Sequence, residues 1–213
     1  MKPSHIIRRA ALLLVATMLT LHVGTSTAWA AGPHRNDSLA QAAWQETPAS
    51  EKPSSNNDKE EGMEKILFIN GSPNREGNTA TLAQTLLRGK SYDTLMLTDY
   101  RINQYGQTLE GDQLDEVLKQ IKEADVVVMG SPVYWHNICA SVRTLMERCY
   151  GYVSQGAFEG KRLFFIYQGA APTKMMIEDG EYSMSRFAGM YGFTYEGMAN
   201  DRKGAEALRE KLK

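Results

Sequence analysis

The stretch from Ile66 to Thr79 constrains this chain more than any other. Four consecutive apolar residues, Ile66-Leu67-Phe68-Ile69, run into the polar turn Asn70-Gly71-Ser72-Pro73-Asn74-Arg75-Glu76-Gly77. A helix start follows at Asn78-Thr79. A short apolar run bounded by turn residues reads as a buried strand, and the unit as a whole reads as strand–loop–helix. Backbone N–H groups at the start of a helix lack partners within it, and the helix dipole adds partial positive charge there. Such a loop can therefore hold an anion, above all a phosphate. Ser72, Asn74, Asn78 and Thr79 add short polar side chains, and Gly71 and Gly77 let the backbone turn tightly.

The loop lacks the Gly-Lys-Ser/Thr ending of a nucleoside-triphosphate loop and the G-x-G-x-x-G of a dinucleotide fold. Amides and hydroxyls with a single Arg suit one terminal phosphate. An ordinary βα turn with an N-cap at Asn78 or Thr79 would use the same residue types.

Downstream, strands and helices alternate. Strands are expected at 65–70, 92–97, 125–129, 162–167 and 193–198. Helices are expected at 78–88, 111–123, 138–150, 178–190 and 203–212. The second helix carries Leu114, Val117, Leu118 and Ile121 at helical spacing. This alternation predicts a parallel sheet covered on both faces. The first, third and fourth strands are continuously apolar, as strands buried on both faces should be. The second and fifth are mixed, which suits sheet edges. Edges at two and five agree with the order 2-1-3-4-5. Ligands of such sheets sit at the carboxyl ends of the strands, where the order reverses.

A second loop falls on that same rim. Val126-Val127-Val128-Met129 ends in Gly130-Ser131-Pro132-Val133-Tyr134-Trp135-His136-Asn137, before the third helix. Together, Gly71-Ser72-Pro73-Asn74-Arg75-Glu76-Gly77-Asn78-Thr79 and Ser131-Pro132-Val133-Tyr134-Trp135 resemble the two motif loops of the flavodoxin-like NAD(P)H-dependent FMN reductases and quinone reductases. The resemblance covers the chain from about Met63 onward. It implies a flavodoxin-like, doubly wound, five-stranded parallel sheet of order 2-1-3-4-5. It also implies FMN as a non-covalent cofactor, NADH or NADPH as donor, and a quinone, flavin or other small molecule as electron acceptor.

The resemblance places Ser72, Asn74, Asn78 and Thr79 on the FMN phosphate. It places Pro132, Val133, Tyr134, Trp135 and His136 along the flavin ring, with Gln168 and Gly169 closing its other side. Tyr134 and Trp135 would equally serve as core or dimer-interface residues, and Gln168 could simply end a strand. Histidine is the residue type suited to proton exchange near neutral pH, so His136 is a candidate acid or base. In the family the hydride chemistry belongs to the flavin, so no catalytic side chain is required. A homodimer is also implied. A non-catalytic electron carrier of the flavodoxin type is the alternative reading.

The first residues read differently. Lys2, Arg8 and Arg9 precede an apolar run from Ala10 to Val23, too short for a comfortable membrane span, and Ala28-Trp29-Ala30 is an A-x-A cleavage pattern. Residues 1–30 are expected to be a secretory signal peptide, with an uncleaved anchor as the alternative. Residues 31–62 carry Pro33, Pro48, Pro53 and a polar run from Ser54 to Gly62. They are expected to form a disordered linker. Residues 63–213 then form the folded domain. The expected location is outside the cytoplasm (periplasm, cell surface or medium) if the signal is used, and cytoplasmic otherwise. No membrane span is expected after cleavage. A net charge of −1 makes no case for a nucleic-acid partner.

Cys139 and Cys149 lie about 15 Å apart along one helix, too far to bridge. With Val142 and Met146 they read as small buried hydrophobes. Some flavodoxin-like relatives bind an iron–sulfur cluster through cysteines after the second strand. Here that stretch, Asp99-Tyr100-Arg101-Ile102-Asn103-Gln104-Tyr105-Gly106, has no Cys, and no metal site is expected. The first loop also lacks the Cys of a low-molecular-weight phosphatase, and Met129-Gly130 stand where a response regulator needs a carboxylate.

Overall fold

A computed structural model describes residues 64–212. The expected signal peptide and linker lie outside the described residues. The elements are β1 (Ile66–Asn70), α1 (Asn78–Leu86), β2 (Asp93–Met96), α2 (Leu114–Glu123), β3 (Val126–Tyr134), β4 (Asn137–Ile138), α3 (Ala140–Cys149), β5 (Arg162–Gln168), α4 (Lys174–Tyr191), β6 (Thr194–Ala199) and α5 (Arg202–Arg209).

The doubly wound α/β architecture is as the alternating pattern predicts. The strand count is not. The sheet has six strands in the order β2-β1-β3-β5-β6, with β4 paired to β3 off this path. This corrects the expected five strands and the order 2-1-3-4-5. The cause is the second loop, which is itself regular structure. Beyond the parallel ladder, β3 continues through Val133 and Tyr134, turns, and pairs back antiparallel as Val133 with Ile138 and Tyr134 with Asn137. The third helix accordingly begins at Ala140, after the hairpin.

Alternation along the strands divides the core into two layers. Leu67, Ile69, Val127, Met129, Phe165 and Tyr167 face α2, α3 and α4. Ile66, Phe68, Val126, Val128, Phe164 and Ile166 face α1 and α5. β1 is buried along its whole length, which explains its unbroken apolar run. β2 exposes Asp93 and Thr94 at the sheet edge. On the other edge, β6 bulges, so that Leu163 faces Tyr195 while Phe164 faces Gly197. Gly197 takes the positive φ of 115° that goes with this irregularity.

α4 is longer than its weak pattern suggested. Thr173 caps it by accepting from the Met176 amide at 3.3 Å, and Gly192 ends it in the left-handed region. Its first half carries Gly180, packed against the Tyr167 ring. A Cβ at 180 would fall within 2.7 Å of the ring atoms Cδ1 and Cζ. At the amino-terminal rim of the sheet, Arg162 gathers Glu196 (2.8 Å), Glu64 (3.5 Å) and the carbonyl of Lys211. The segment between β2 and α2 is held by polar bonds. Arg148 pairs with Asp112 at 2.6 Å and donates to the Asn103 carbonyl at 2.9 Å.

Two predictions follow from this packing. Gly180→Ala gains up to about 1 kcal/mol of helix propensity but overpacks Tyr167, which costs about 1–3 kcal/mol. A net loss of about 1 kcal/mol is expected in denaturant unfolding, and a gain would show that the contact is soft. Burial also pushes the Cys149 thiol up from 9.0 to about 12, with Arg148 opposing, and the Tyr167 hydroxyl from 10.0 to about 12, with Asp179 adding to it. The folded values lie above the unfolded ones. The neutral forms therefore contribute their full stability below about pH 9, and it is lost as pH rises toward 12. Unfolding midpoints should fall across that window, and Cys149→Ala should soften the onset.

Candidate functional site

The first loop is built as a ladder. Each side-chain oxygen accepts from the backbone amide two residues ahead. Asn70 Oδ1 takes Ser72 N–H at 2.9 Å, Ser72 Oγ takes Asn74 N–H at 3.2 Å, and Asn74 Oδ1 takes Glu76 N–H at 3.1 Å. These Asx- and ST-type turns explain why Asn and Ser recur at every second position. They also leave each side chain with donors to offer: the Ser72 hydroxyl hydrogen and the amide hydrogens of Asn70 and Asn74.

α1 opens directly behind this ladder. Its N-cap is Gly77, and no side chain caps it. The alternative of an N-cap at Asn78 or Thr79 is thus not what forms, and the helix dipole ends without a protein acceptor from a capping side chain. Asn78 is exposed at this helix start, and Ser72 is buried. Thr79 is buried. Its methyl faces Gly130, and its hydroxyl accepts from Gln168 Nε2 at 3.1 Å. Arg75, the one cation of the loop, forks onto Asp99 at 2.8 and 2.7 Å, at the surface.

The second loop is clamped to the first. Gly71 N–H donates to the Gly130 carbonyl at 2.8 Å. The Gly71 carbonyl accepts from Ser141 Oγ at 2.7 Å and from Cys139 Sγ at 3.5 Å. Ser131, fully buried, accepts from Cys139 N–H at 2.9 Å and donates to the Pro132 carbonyl. Cys139 therefore does more than fill space, as its expected role had it. It is the N-cap of α3 and a strut under the first loop. Sequence reading missed this, and the only signal was a Cys and a Ser at a strand-to-helix junction.

Pro132 is buried and Val133 half-buried, and beyond them the hairpin rises. Trp135 and His136 form its two-residue turn at φ 47° and 65°. Positive φ at both central positions is the requirement of a type I′ turn, usually met by Asn-Gly. Non-glycine residues there store strain of about 1–2 kcal/mol each. Trp135 is 95% exposed and Tyr134 49% exposed, so neither is a core residue. His136 is exposed at the tip. The third rim loop closes against this hairpin, where a Cβ on Gly169 would sit 3.0 Å from Val133 Cβ. Gln168 spends one amide hydrogen on Thr79, joining β5 to the start of α1.

All eleven residues singled out in the sequence thus lie on three loops at the carboxyl rim of β1, β3 and β5, at the point where the strand order reverses. Missed among them was Asn70, fully buried with an Nδ2 that has no hydrogen-bond partner. Among the described residues, no group of three or more His, Cys, Asp or Glu is placed to hold a metal ion, and no helix is long and apolar enough to cross a membrane. His136→Gly should relieve turn strain and raise stability by up to about 1 kcal/mol. A higher thermal midpoint is the expected result, and a lower one would mean the imidazole makes a contact that holds the hairpin.

Comparison with known proteins bears on the fold and the family. An iron–sulfur flavoprotein of Methanocaldococcus jannaschii is 35% identical over 98 residues, covering 39% of this chain and 51% of that protein. The chain spans about half the length of the first curated relatives it matches. Among solved structures, the Trp repressor binding protein from Bacillus subtilis superposes with a TM-score of 0.57 at 17% identity, over 70% of this chain and 98% of that one. An NADH:FMN oxidoreductase in its apo form superposes with a TM-score of 0.50 at 19% identity, over 71% and 91%. These likenesses show the fold. Residues 64–191 match the sequence model of the NADPH-dependent FMN reductases, and the chain belongs to that family.

Proposed function

We propose that this chain is an FMN-dependent oxidoreductase that passes electrons from NADH or NADPH to a quinone, a flavin or another small acceptor. The observation that carries this reading is the ladder Asn70–Ser72–Asn74 in front of an uncapped α1. Its oxygens are turned onto the backbone and its donors remain, which suits an anion and disfavours a cation. The residues fit FMN. The first-turn amides of α1, Ser72, Asn74 and Asn78 would hold the phosphate, with Thr79 buttressed by Gln168 behind them. Pro132, Val133, Tyr134, Trp135 and His136 would flank the ring, opposite Gln168 and Gly169. Bound there, FMN supplies the capacity to take up a hydride and release electrons singly or in pairs. The chain's own work is to bind, to orient and to keep the ring's face open to small molecules. His136, at an exposed hairpin tip, is not assigned a proton-transfer role.

The relatives' iron–sulfur centre does not carry over. The excursion between β2 and α2 contains no cysteine and is pinned by Arg148, Asp112 and Asn103, while Cys139 and Cys149 are buried around α3. In this reading the flavin itself meets the acceptor, a small molecule, without a second redox centre in this chain. The exposed Trp135 and Tyr134 support a homodimer that buries the hairpin, and the charged and apolar pattern of residues 1–30 supports export.

The test is an absorption spectrum of the purified chain after incubation with FMN and gel filtration, followed by anaerobic addition of NADH and then NADPH. Retained flavin that bleaches with one nucleotide is the expected result and identifies the donor. Retained flavin that ignores both points to an electron carrier. Loss of flavin on the column would sink the proposal.

A further inference from the structure

We infer that Asn70 makes the site selective for phosphorylated flavin, its side-chain amide donating to the terminal phosphate. This rests on the FMN reading above and concerns a residue outside the motif that suggested it.

Asn70 ends β1 and is 0% exposed. Its Oδ1 accepts from Ser72 N–H at 2.9 Å, and this contact fixes which way the amide faces. The reverse orientation would set Nδ2 against the Ser72 N–H, donor against donor. Nδ2 is therefore the atom left over, and it has no partner. Buried donors without acceptors are costly, and folded proteins keep few of them. The stranded donor lies on the sheet face that carries α1. In the ladder Asn70 pairs with Gly130, where a Cβ would run into the Thr79 methyl of the first turn of α1 and the Phe68 ring on that same face. An unsatisfied donor and an uncapped helix start thus occupy the same corner, and both want an anion. Nδ2 is buried beneath the first loop, so the proposed contact requires a small local shift of the loop over Asn70 when the phosphate binds. The bond is non-covalent and moves no proton.

The test compares FMN with riboflavin, which lacks only the phosphate, by quenching of flavin fluorescence with the purified full chain. Asn70→Asp keeps the acceptor for Ser72 N–H and replaces the donor with an anionic oxygen. It should weaken FMN by about 100-fold or more and leave riboflavin within about twofold. Asn70→Ala should weaken FMN by roughly tenfold. Unchanged FMN affinity in Asn70→Asp, or equal losses for both flavins, would overturn the inference while leaving the FMN reading intact. Failure of the unsubstituted chain to bind FMN would remove the reading itself. If either variant does not fold, the side-chain amide protons of Asn70 in the unsubstituted chain decide. They should shift strongly with FMN and little with riboflavin, and the same response to both would overturn the inference.

Discussion

Gly71 is the junction on which the site depends. Its amide is bound to the Gly130 carbonyl, and its own carbonyl takes Ser141 and Cys139. A Cβ there would collide with Val142 Cγ2 and lie 2.9 Å from Cys139 Sγ and from the Gly130 carbonyl oxygen. Only glycine lets the first loop lie this close to the start of α3. Two loops far apart in sequence thereby share one set of bonds. Displacing either would displace both.

The sheet supplies the rigid side of this arrangement. Parallel pairing of β1 with β3 and β3 with β5 brings Asn70, Gly130 and the Pro132–Gln168 pair to one rim in fixed register. Apolar packing on both faces leaves these strands little freedom to slide. The loops are then stiffened locally. The ladder of side-chain oxygens stiffens the first, the antiparallel pairing of β4 the second, and the Gly169–Val133 contact the third. The hairpin tip stands apart from these contacts: there the most exposed aromatic, Trp135, sits on a positive-φ backbone.

Much of this was legible in the sequence because it follows from periodicity. Ile66–Ile69 and Val126–Met129 could only be strands buried on both faces, and Leu114, Val117, Leu118 and Ile121 could only be one helical face. The rim position of both loops followed from the strand order. What was not legible depended on side chains meeting across the fold. Nothing local says that Cys139 should brace Gly71, that Gln168 should reach Thr79, or that Arg75 should be taken by Asp99. The hairpin escaped notice for a different reason. Trp-His carries none of the Asn-Gly signature of a type I′ turn, because here a conformation was kept against local preference. Asn70 was passed over as the polar end of a strand, since its burial and its stranded Nδ2 appear only once α1 lies over it.

At the far rim, Arg162 ties Glu64 to Glu196 and to the Lys211 carbonyl. The two ends of the described chain therefore lie side by side, on the opposite side of the sheet from the three loops. Topologically the domain is close to a ring, and domains with adjoining termini tolerate being cut and rejoined elsewhere. The glycine-bearing bends at Gly89 and Gly151, both at positive φ in open surroundings, are the natural places for new ends. Joining the old ones beside Arg162, at the rim away from the three loops, would leave the loop rim untouched. The order in which the segments are strung along the chain is incidental to the site. What it requires is their register in the sheet.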